Sequence, residues 1–307
     1  MRKVAFLLFL LPYILIAQNV VVVEDKPVTD LKEGAFYFPV ACPDGSGIIF
    51  SSVNGTGLWF KNISTGKITK ITNAAGAGFE PVFNSNGSAI YFRENKFLNG
   101  KMSSSLKTYQ VSSRKINVVA DGIRDLKICK SFDEKVNSYI KGNEYVQLNQ
   151  DMGALKKTTA QEISVYADNT KIVLIENGIK RSIDPIGNSN YIWTSISPDN
   201  TKLLFTCLGK GTFISTLDGK IIKQVGYANY PAWSADGNWV LFMKDIDDGV
   251  KLISSDIFIA NINTGKYYNL TQQQNNISIY PKWGTNNTTI FYNTDEGQIR
   301  KITLKYE

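Results

Sequence analysis

Residues Tyr230–Lys244 read YPAWSADGNWVLFMK, and this stretch decides the fold because weaker copies of it recur along the chain. An apolar run, Pro231–Trp233, is followed by a turn at Ser234-Ala235-Asp236-Gly237 and by a second run, Asn238–Lys244. Asp-Gly between two β-prone runs is a strong hairpin signal, because glycine accepts positive φ and aspartate can hydrogen-bond its own turn. The stretch therefore predicts two antiparallel strands joined by a tight turn.

Further copies show the same order of short strand, turn and second strand. Their marker residues are Asp44-Gly45, Pro81 with Asn86-Gly87, Pro198-Asp199, and Pro281 with Trp283. In the first copy two more strands follow, Leu58–Ile63 and Lys67–Thr72, joined by Ser64-Thr65-Gly66. The same hairpin unit recurs at Ile262–Lys266 and is echoed at Thr216–Lys220. Four strands joined by tight turns are the content of one propeller blade.

The chain is accordingly predicted to be all-β, a β-propeller of four-stranded antiparallel blades. A helical period of 3.6 is found nowhere after the first residues. The region Ile123–Ile183 aligns either as one blade with an insertion or as two degenerate blades, so six blades are predicted and seven are the alternative. The run Val20–Val23 is predicted to close the ring by pairing near Gln298–Leu304, because an open last blade would leave an unpaired strand edge.

The first residues match an export signal. Arg2-Lys3 precede an apolar run, Val4–Ile16, that ends at Ala17-Gln18, in the order of a cleaved signal peptide. The run is short for a membrane span, which needs about 20 apolar residues, so an uncleaved anchor is the less favoured alternative. No cysteine stands beside the cleavage region, which argues against a lipid anchor.

We therefore predict a signal peptide at 1–18, a closing strand and connector at 19–35, and a single propeller domain at 36–307. The mature protein is predicted to be periplasmic or secreted, with no stable membrane span after cleavage of the signal peptide.

Composition argues against several functional classes. The 34 basic and 27 acidic side chains give a net charge of +7, but without basic runs, so nucleic acid is not a predicted partner. The chain has no histidine, which is the usual general base of nucleophilic triads and the commonest metal ligand.

Cys42, Cys129 and Cys207 lie far apart without metal-site spacing. They are predicted to be buried thiols, with a disulfide between two of them as the alternative.

The repeat resembles that of a known family. Pro-X-Trp-Ser-X-Asp-Gly followed by an apolar strand, with a Thr-Gly-Lys hairpin, is similar to the repeat of the TolB-type six-bladed propellers of the bacterial cell envelope. The match spans about residues 36–304 and is weakest between Asp121 and Asn190. The resemblance implies the fold and an envelope setting. It does not imply the Tol role, because nothing here corresponds to the additional α/β domain that the Tol-system protein carries before its propeller.

Most of the repeated residues are predicted to have structural roles, with Trp233 and Trp283 packing between neighbouring blades. These structural residues are Asp44, Gly45, Pro81, Asn86, Gly87, Pro198, Asp199, Pro231, Trp233, Asp236, Gly237, Pro281 and Trp283. One weak metal candidate is the run Asp245, Asp247 and Asp248, which resembles part of a calcium loop. Gly249 falls one position early and no glutamate closes the loop, so a solvated hairpin loop is favoured. No cofactor and no catalytic residue are predicted.

The leading functional hypothesis is a non-catalytic exported propeller that acts as a protein–protein interaction scaffold in the cell envelope. Its partner would be an envelope protein or a peptidoglycan-associated component. The alternative is a carbohydrate-binding or carbohydrate-cleaving propeller that uses Tyr, Trp and acidic side chains around the central mouth; cleavage would need two facing carboxylates. A third class, the propeller half of a prolyl-peptidase-like enzyme, is disfavoured because the chain lacks Gly-X-Ser-X-Gly and histidine.

The functional surface is predicted where the copies diverge. The divergent segments are a polar loop at Glu94–Lys107, a second loop at Lys244–Ser255, and the irregular region Asp121–Asn190.

Overall fold

Six antiparallel sheets follow one another around a ring, as the turn spacing predicts. The computed structural model describes residues 19–84, 86–130, 136–141, 144–147, 163–272, 274 and 276–307. The predicted signal peptide at 1–18 lies outside the described residues. Within the described part of the chain, no helix has the length and apolar character needed to cross a membrane.

The strands, in chain order, are β1 (Val20–Pro27), β2 (Tyr37–Ala41), β3 (Gly47–Ser51), β4 (Leu58–Asn62), β5 (Ile68–Thr72), β6 (Val82–Phe83), β7 (Ala89–Leu98), β8 (Lys101–Gln110), β9 (Ile116–Ile123), β10 (Lys127–Lys130), β11 (Val136–Lys141), β12 (Glu144–Gln147), β13 (Ile163–Asp168), β14 (Lys171–Glu176), β15 (Ile179–Ile183), β16 (Tyr191–Ile196), β17 (Lys202–Cys207), β18 (Gly211–Thr216), β19 (Ile221–Gly226), β20 (Asn229–Trp233), β21 (Trp239–Asp247), β22 (Leu252–Asn261), β23 (Tyr267–Asn269), β24 (Ser278–Trp283), β25 (Thr289–Thr294) and β26 (Ile299–Tyr306). A single 3-10 turn, Leu31–Glu33, is the one helical element among the described residues.

Blade one comprises β2 to β5, blade two β6 to β9, blade four β16 to β19 and blade five β20 to β23. Blade six is formed by β24, β25, β26 and β1. Blade three is formed by β10 and β13 to β15, and an additional hairpin, β11 and β12, pairs with the free edge of β10. The six-blade prediction is therefore confirmed, and the irregular region is one blade with an insertion rather than two blades.

The turn between the first two strands of a blade is held by the side chain that the sequence marks. The Oδ1 atom of Asp44 accepts a hydrogen bond from the Ser46 backbone N–H at 2.8 Å, and Asp236 accepts one from Asn238 at 3.0 Å. Asn86, Asp199 and Asn286 repeat this contact two residues ahead. Such turns form from local residues alone, which is why the sequence reveals them.

Glycine is required at some of these turns because neighbouring blades touch there. Gly87 has φ +74°, and a Cβ added to it would lie 2.7 Å from the sulfur of Cys42 in blade one. Both Cys42 and Cys207 are buried free thiols, as predicted for these two residues. Burial raises the pKa of the Cys42 thiol to about 11, so the thiol stays protonated at neutral pH.

Hydrophobic clusters fill the spaces between successive blades. Trp233 packs with Leu204 of blade four and with Val240 of blade five, and the indole Nε1 of Trp283 donates to the Ala232 carbonyl at 3.2 Å. Both tryptophans therefore contact a neighbouring blade. A corresponding cluster that includes Phe36, Phe50 and Phe291 joins blade six to blade one and completes the ring.

The ring closes through strand pairing between the two ends of the propeller. Strand β1 pairs antiparallel with β26 from Val20 opposite Tyr306 to Pro27 opposite Arg300. The predicted closing role of Val20–Val23 is confirmed, and the pairing is longer than predicted.

A buried charge pair fixes this closure. The guanidinium Nε of Arg300 donates to Asp25 Oδ1 at 3.0 Å, and the Tyr292 hydroxyl donates to Asp25 Oδ2 at 2.7 Å. The Asp25 side chain is only 7% exposed and that of Arg300 14%. Removing one member would leave the other charge buried without its partner.

Two sequence-based loop assignments are wrong. The segment Glu94–Lys107 is not a loop, because β7 and β8 run continuously to a two-residue turn at Asn99-Gly100, where both residues have positive φ. Asn-Gly with two positive φ values is the preferred type I′ hairpin turn. The segment Lys244–Ser255 is likewise mostly strand, since β21 extends to Asp247 and β22 begins at Leu252. Blades two and five therefore carry long hairpins, which we call the blade-two hairpin (β7 and β8) and the blade-five hairpin (β21 and β22).

We expect Asp25→Ala to lower the free energy of unfolding by about 3 kcal/mol, because it leaves the Arg300 charge buried and unpaired at the closing seam. Equilibrium urea unfolding followed by circular dichroism measures this change. The control is Glu24→Ala on the same strand, whose side chain is 43% exposed and forms a surface ion pair with Lys26; its unfolding midpoint should match the parent. Equal midpoints for Asp25→Ala and the parent would contradict a stabilising role for the closing pair.

Candidate functional site: the mouth of the central channel

One residue at or just before the first strand of each blade adopts a left-handed backbone conformation. These six equivalent positions, the channel-mouth residues, are Phe38, Glu80, Asp125, Trp193, Tyr230 and Tyr280, with φ between +49° and +58°. Positive φ is rare for bulky aromatic residues and is tolerated where surrounding structure enforces it. In four blades the strand register shifts across this residue, as it does at a β-bulge.

The channel-mouth residues of four blades meet one another. The ring centroids of Phe38 and Tyr280 are 4.4 Å apart, those of Tyr280 and Tyr230 are 4.8 Å apart, and those of Tyr230 and Trp193 are 4.6 Å apart. These residues belong to blades one, six, five and four in turn, so their side chains converge around the ring axis. We call this set the aromatic arc. Contacts at these distances lie in the favourable range for aromatic pairs.

The remaining two channel-mouth residues, Glu80 and Asp125, are acidic and exposed. They belong to blades two and three, so the rim of the channel is aromatic on one side and charged on the other. The six blades are similar in fold, and the channel-mouth side chains differ between the two sides of the ring.

A cavity of about 420 Å³ opens beside the aromatic arc. The four arc residues line it, together with Glu80, Arg93 and Ser195. Two of the lining side chains have a buried polar atom without a hydrogen-bond partner among the described residues, Arg93 at Nε and Ser195 at Oγ. Burial lowers the pKa of Arg93, although the negative charge of Glu80 acts in the opposite direction.

A second cavity, of about 710 Å³, adjoins the first between blades two, three and four. It shares Glu80, Arg93 and Trp193 with the smaller cavity, so the two cavities are neighbours, and we call them together the recess. Lys127 also lines it and forms an ion pair with Asp168. Part of the lining of the larger cavity, including Lys127 and Tyr166, belongs to the irregular region Asp121–Asn190, whereas Glu80, Arg93 and Trp193 lie outside it.

Both long hairpins stand on the face where the channel-mouth residues lie. Asn229, the residue before Tyr230, donates from Nδ2 to Asp245 of the blade-five hairpin at 2.6 Å. The backbone N–H of Asn95 in the blade-two hairpin donates at 2.8 Å to the carbonyl of Ala75, in the segment that leads from β5 to Glu80 and β6. Blades two and five are opposite each other in a six-bladed ring, so the hairpins flank the channel mouth.

The ends of the two hairpins expose apolar side chains. Phe97 is 71% exposed and Val250 is 93% exposed. Met102 in the blade-two hairpin and Ile246 and Ile253 in the blade-five hairpin are also exposed. Clustered apolar residues at the tips of projecting elements are typical of contact surfaces for other macromolecules.

The aspartates of the calcium candidate have other partners. Asp245 Oδ1 accepts the Asn229 amide, Asp247 Oδ1 accepts the Gly249 N–H at 2.9 Å, and Asp248 Oδ1 accepts the N–H groups of Val250 and Lys251. The three side chains thus organise the turn of the blade-five hairpin and its base. In the described ranges, no group of three or more His, Cys, Asp or Glu residues is arranged to hold a metal ion.

The structural repeat residues of the turns lie away from this site, whereas three repeat prolines adjoin it. These turns join the first and second strands of a blade. Each first strand begins at the channel mouth, so the turn at its other end lies on the opposite side of the ring. Pro81, Pro231 and Pro281 immediately follow a channel-mouth residue. The recurring pair of a bulky residue before proline is therefore the available sequence signal for the aromatic arc. It cannot show that residues so distant in the chain meet.

Among solved structures, two with TM-scores above 0.5 support the fold assignment. The β-propeller domain of Cps50 (Swd1) from Myceliophteria thermophila is similar with a TM-score of 0.63 at 10% identity, over 91% of this chain and 99% of that chain. An oligogalacturonate lyase in complex with manganese is similar with a TM-score of 0.51 at 12% identity, over 88% of this chain and 78% of that chain. TolB from Acinetobacter baumannii aligns at a TM-score of 0.34 and 15% identity, over 87% of this chain and 54% of that chain.

At these identities the likeness concerns the propeller fold alone. No protein-family profile and no curated protein sequence matches the chain.

We expect the ionisation of Tyr230 to destabilise the protein at high pH. Burial, with the neighbouring Tyr280 and Glu80, raises the pKa of Tyr230 to about 12, against an ordinary value of 10.0. A raised pKa in the folded state contributes stability below pH 10, and this contribution is lost as the pH rises from 10 to 12. Urea unfolding across this range should therefore show a shallower loss of stability for Tyr230→Phe than for the parent. Parallel loss in the two proteins would contradict the burial of this phenol in the aromatic arc.

Proposed function

We propose that the protein is a non-catalytic, exported β-propeller that acts as a protein–protein interaction scaffold in the bacterial cell envelope. The observation that carries the proposal is the face at the channel mouth, where the aromatic arc lies between two hairpins with exposed apolar ends. Large aromatic groups surrounded by apolar and polar contacts are the usual anchors of protein interfaces.

The chemistry of the hairpin ends favours a protein partner. Phe97, Met102, Ile246, Val250 and Ile253 are mostly aliphatic or flexible side chains, which pack against the apolar side chains of another protein. They project from opposite blades, so one partner seated over the channel mouth would contact both hairpins and the recess between them.

The envelope setting of the proposal rests on the sequence. The leader at residues 1–18 has the order of a signal peptide, and the repeat resembles that of TolB-type propellers. The partner is accordingly proposed to be an envelope protein or a peptidoglycan-associated component.

Carbohydrate binding is a second candidate function, favoured by the Tyr and Trp rings of the aromatic arc. Sugar rings stack on open aromatic faces, whereas Tyr230 is flanked by Trp193 at 4.6 Å and Tyr280 at 4.8 Å between ring centroids. Cleavage by a carboxylate pair has less support, because Glu80 is the one carboxylate among the described residues that line the smaller cavity.

We expect the double variant Phe97→Asp, Val250→Asp to lose most capture of its partner from envelope extract, because both apolar ends acquire a charge that must be desolvated on binding. Immobilised parent and variant proteins are compared by quantitative mass spectrometry of the bound fraction. The matched control is Ile179→Asp; Ile179 is 74% exposed and is the first residue of β15, directly after the β14–β15 turn on the opposite face.

The scaffold proposal predicts a protein that is retained by the parent and by Ile179→Asp and depleted at least about tenfold by the double variant. Equal recovery of the captured protein on the parent, the double variant and Ile179→Asp would contradict the proposal that the partner binds the channel-mouth face. Glycan-array binding that depends on Trp193 or Tyr280, without such a protein, would favour the carbohydrate function instead.

A further inference from the structure

Two hydrogen-bond donors of the smaller cavity lack partners. Arg93 on β7 and Ser195 on β16 both line this cavity, and the Nε of Arg93 and the Oγ of Ser195 are buried without a hydrogen-bond partner among the described residues. Buried polar groups in folded proteins are normally hydrogen-bonded, so each exception requires a physical explanation. A ligand that accepts both hydrogen bonds is such an explanation.

The charged side chains around the cavity favour a ligand whose hydrogen-bond acceptor is an anion. Its described lining contains the cations Arg93 and Lys282 and the single anion Glu80. Glu80 and Lys282 each take part in further interactions, whereas the Arg93 Nε–H has no hydrogen-bond acceptor. A guanidinium pairs best with a planar carboxylate, which can accept two of its N–H groups at once.

The other residues that line the cavity favour a ligand in which an apolar group lies beside that anion. The rest of the lining is mostly apolar and includes the aromatic arc, Pro81 and Pro231. A volume of about 420 Å³ is in the range of pockets that enclose a small ligand or one short segment of a larger one. The site therefore fits a carboxylate that stands beside an apolar side chain.

We infer that the cavity between Arg93, Ser195 and the aromatic arc is a subsite for a peptide carboxylate next to an apolar residue, presented by the partner protein. The inference rests on the proposed function and specifies what the scaffold recognises. The carboxylate comes from the carboxyl terminus of the partner or from one of its Asp or Glu side chains, since both sources offer the same acceptor geometry.

The test uses three short peptides and the full-length protein. The peptides are acetyl-Leu-Phe with a free C-terminal carboxylate, the same peptide with a C-terminal amide, and acetyl-Phe-Glu with a C-terminal amide, so that its one carboxylate is on the side chain. Dissociation constants are measured by isothermal titration calorimetry or by NMR titration. At least one of the two acids should bind about tenfold or more tightly than the neutral amide, as expected for a charge-assisted hydrogen bond in a buried site.

The acid that binds more tightly identifies the source of the carboxylate. Equal binding of acids and amide by the parent protein, or no binding of any of the three, would overturn the inference without any variant. Tighter binding of an oligogalacturonate than of either peptide acid would overturn the assignment to a peptide.

Variants assign the preference to the two donors. Arg93→Gln should reduce binding of the acids to the level of the amide while leaving amide binding unchanged, and Ser195→Ala should reduce the preference severalfold. The charge-matched control is Arg114→Gln, an exposed arginine in the turn after β8, which should keep the full preference. Retention of the acid preference in Arg93→Gln would exclude Arg93 as the carboxylate donor.

A stability readout separates binding from a purely structural role. Arg93→Met replaces a buried cation whose Nε lacks a partner by an apolar side chain of similar length, so the melting temperature should equal or exceed that of the parent. A melting temperature well below that of the parent would mean that Arg93 is already satisfied within the protein, which would contradict a free donor.

Failure of this inference is distinguishable from failure of the proposed function. If acids and amide bind equally but partner capture still depends on Phe97 and Val250, the carboxylate subsite is wrong and the scaffold function stands. If the acid preference is present but capture is independent of the hairpins, the subsite stands and the proposed contact face is wrong.

Discussion

The pairing of β1 with β26 is the constraint on which the remaining structure depends. Six blades in sequence would leave an open edge on the last sheet, and an unpaired edge invites association with other proteins. Antiparallel pairing from Val20 to Pro27 closes that edge, and the Asn19 and Glu307 backbones extend it with two further hydrogen bonds at 2.8 and 2.9 Å. Asp25 and Arg300 place complementary charges at the seam, which sets the register of the last pair. Once the ring is closed, hydrophobic packing between each pair of neighbouring blades holds its diameter.

Closure also creates the candidate site. Closure brings the equivalent positions of the six blades around one axis. Where the side chains at these positions differ between blades, the channel mouth differs in chemistry from one side to the other. Four of these positions carry aromatic rings in mutual contact and two carry carboxylates. The repeated residues of the turns build the ring, whereas the residues that vary between blades determine what the ring can bind. The long hairpins on blades two and five are a further difference between blades, because they lengthen two strands that every blade has.

The features predictable from sequence are those set by local interactions. Asp236-Gly237 and its copies form turns through contacts two residues apart, so their pattern indicates hairpins, and regular spacing of hairpins indicates blades. The long hairpins resemble loops in sequence because their strands are polar on the outer part, where no core selects an apolar alternation; the Asn99-Gly100 pair is the one clear signal. The channel mouth is not predictable in detail, since Phe38 and Tyr280 are near opposite ends of the sequence and meet only after the ring closes. The unpaired Nε of Arg93 is a property of three-dimensional packing and has no sequence signal.

The central claim is that the partner contacts the face that carries the channel mouth and the two long hairpins. Site-specific photo-crosslinking in intact cells tests it most directly, with a photoreactive residue at position 250 on the blade-five hairpin or at position 179 on the opposite face. The account predicts a discrete cross-linked protein species from position 250 and none from position 179. A species obtained only from position 179, or the same species from both positions, would contradict it.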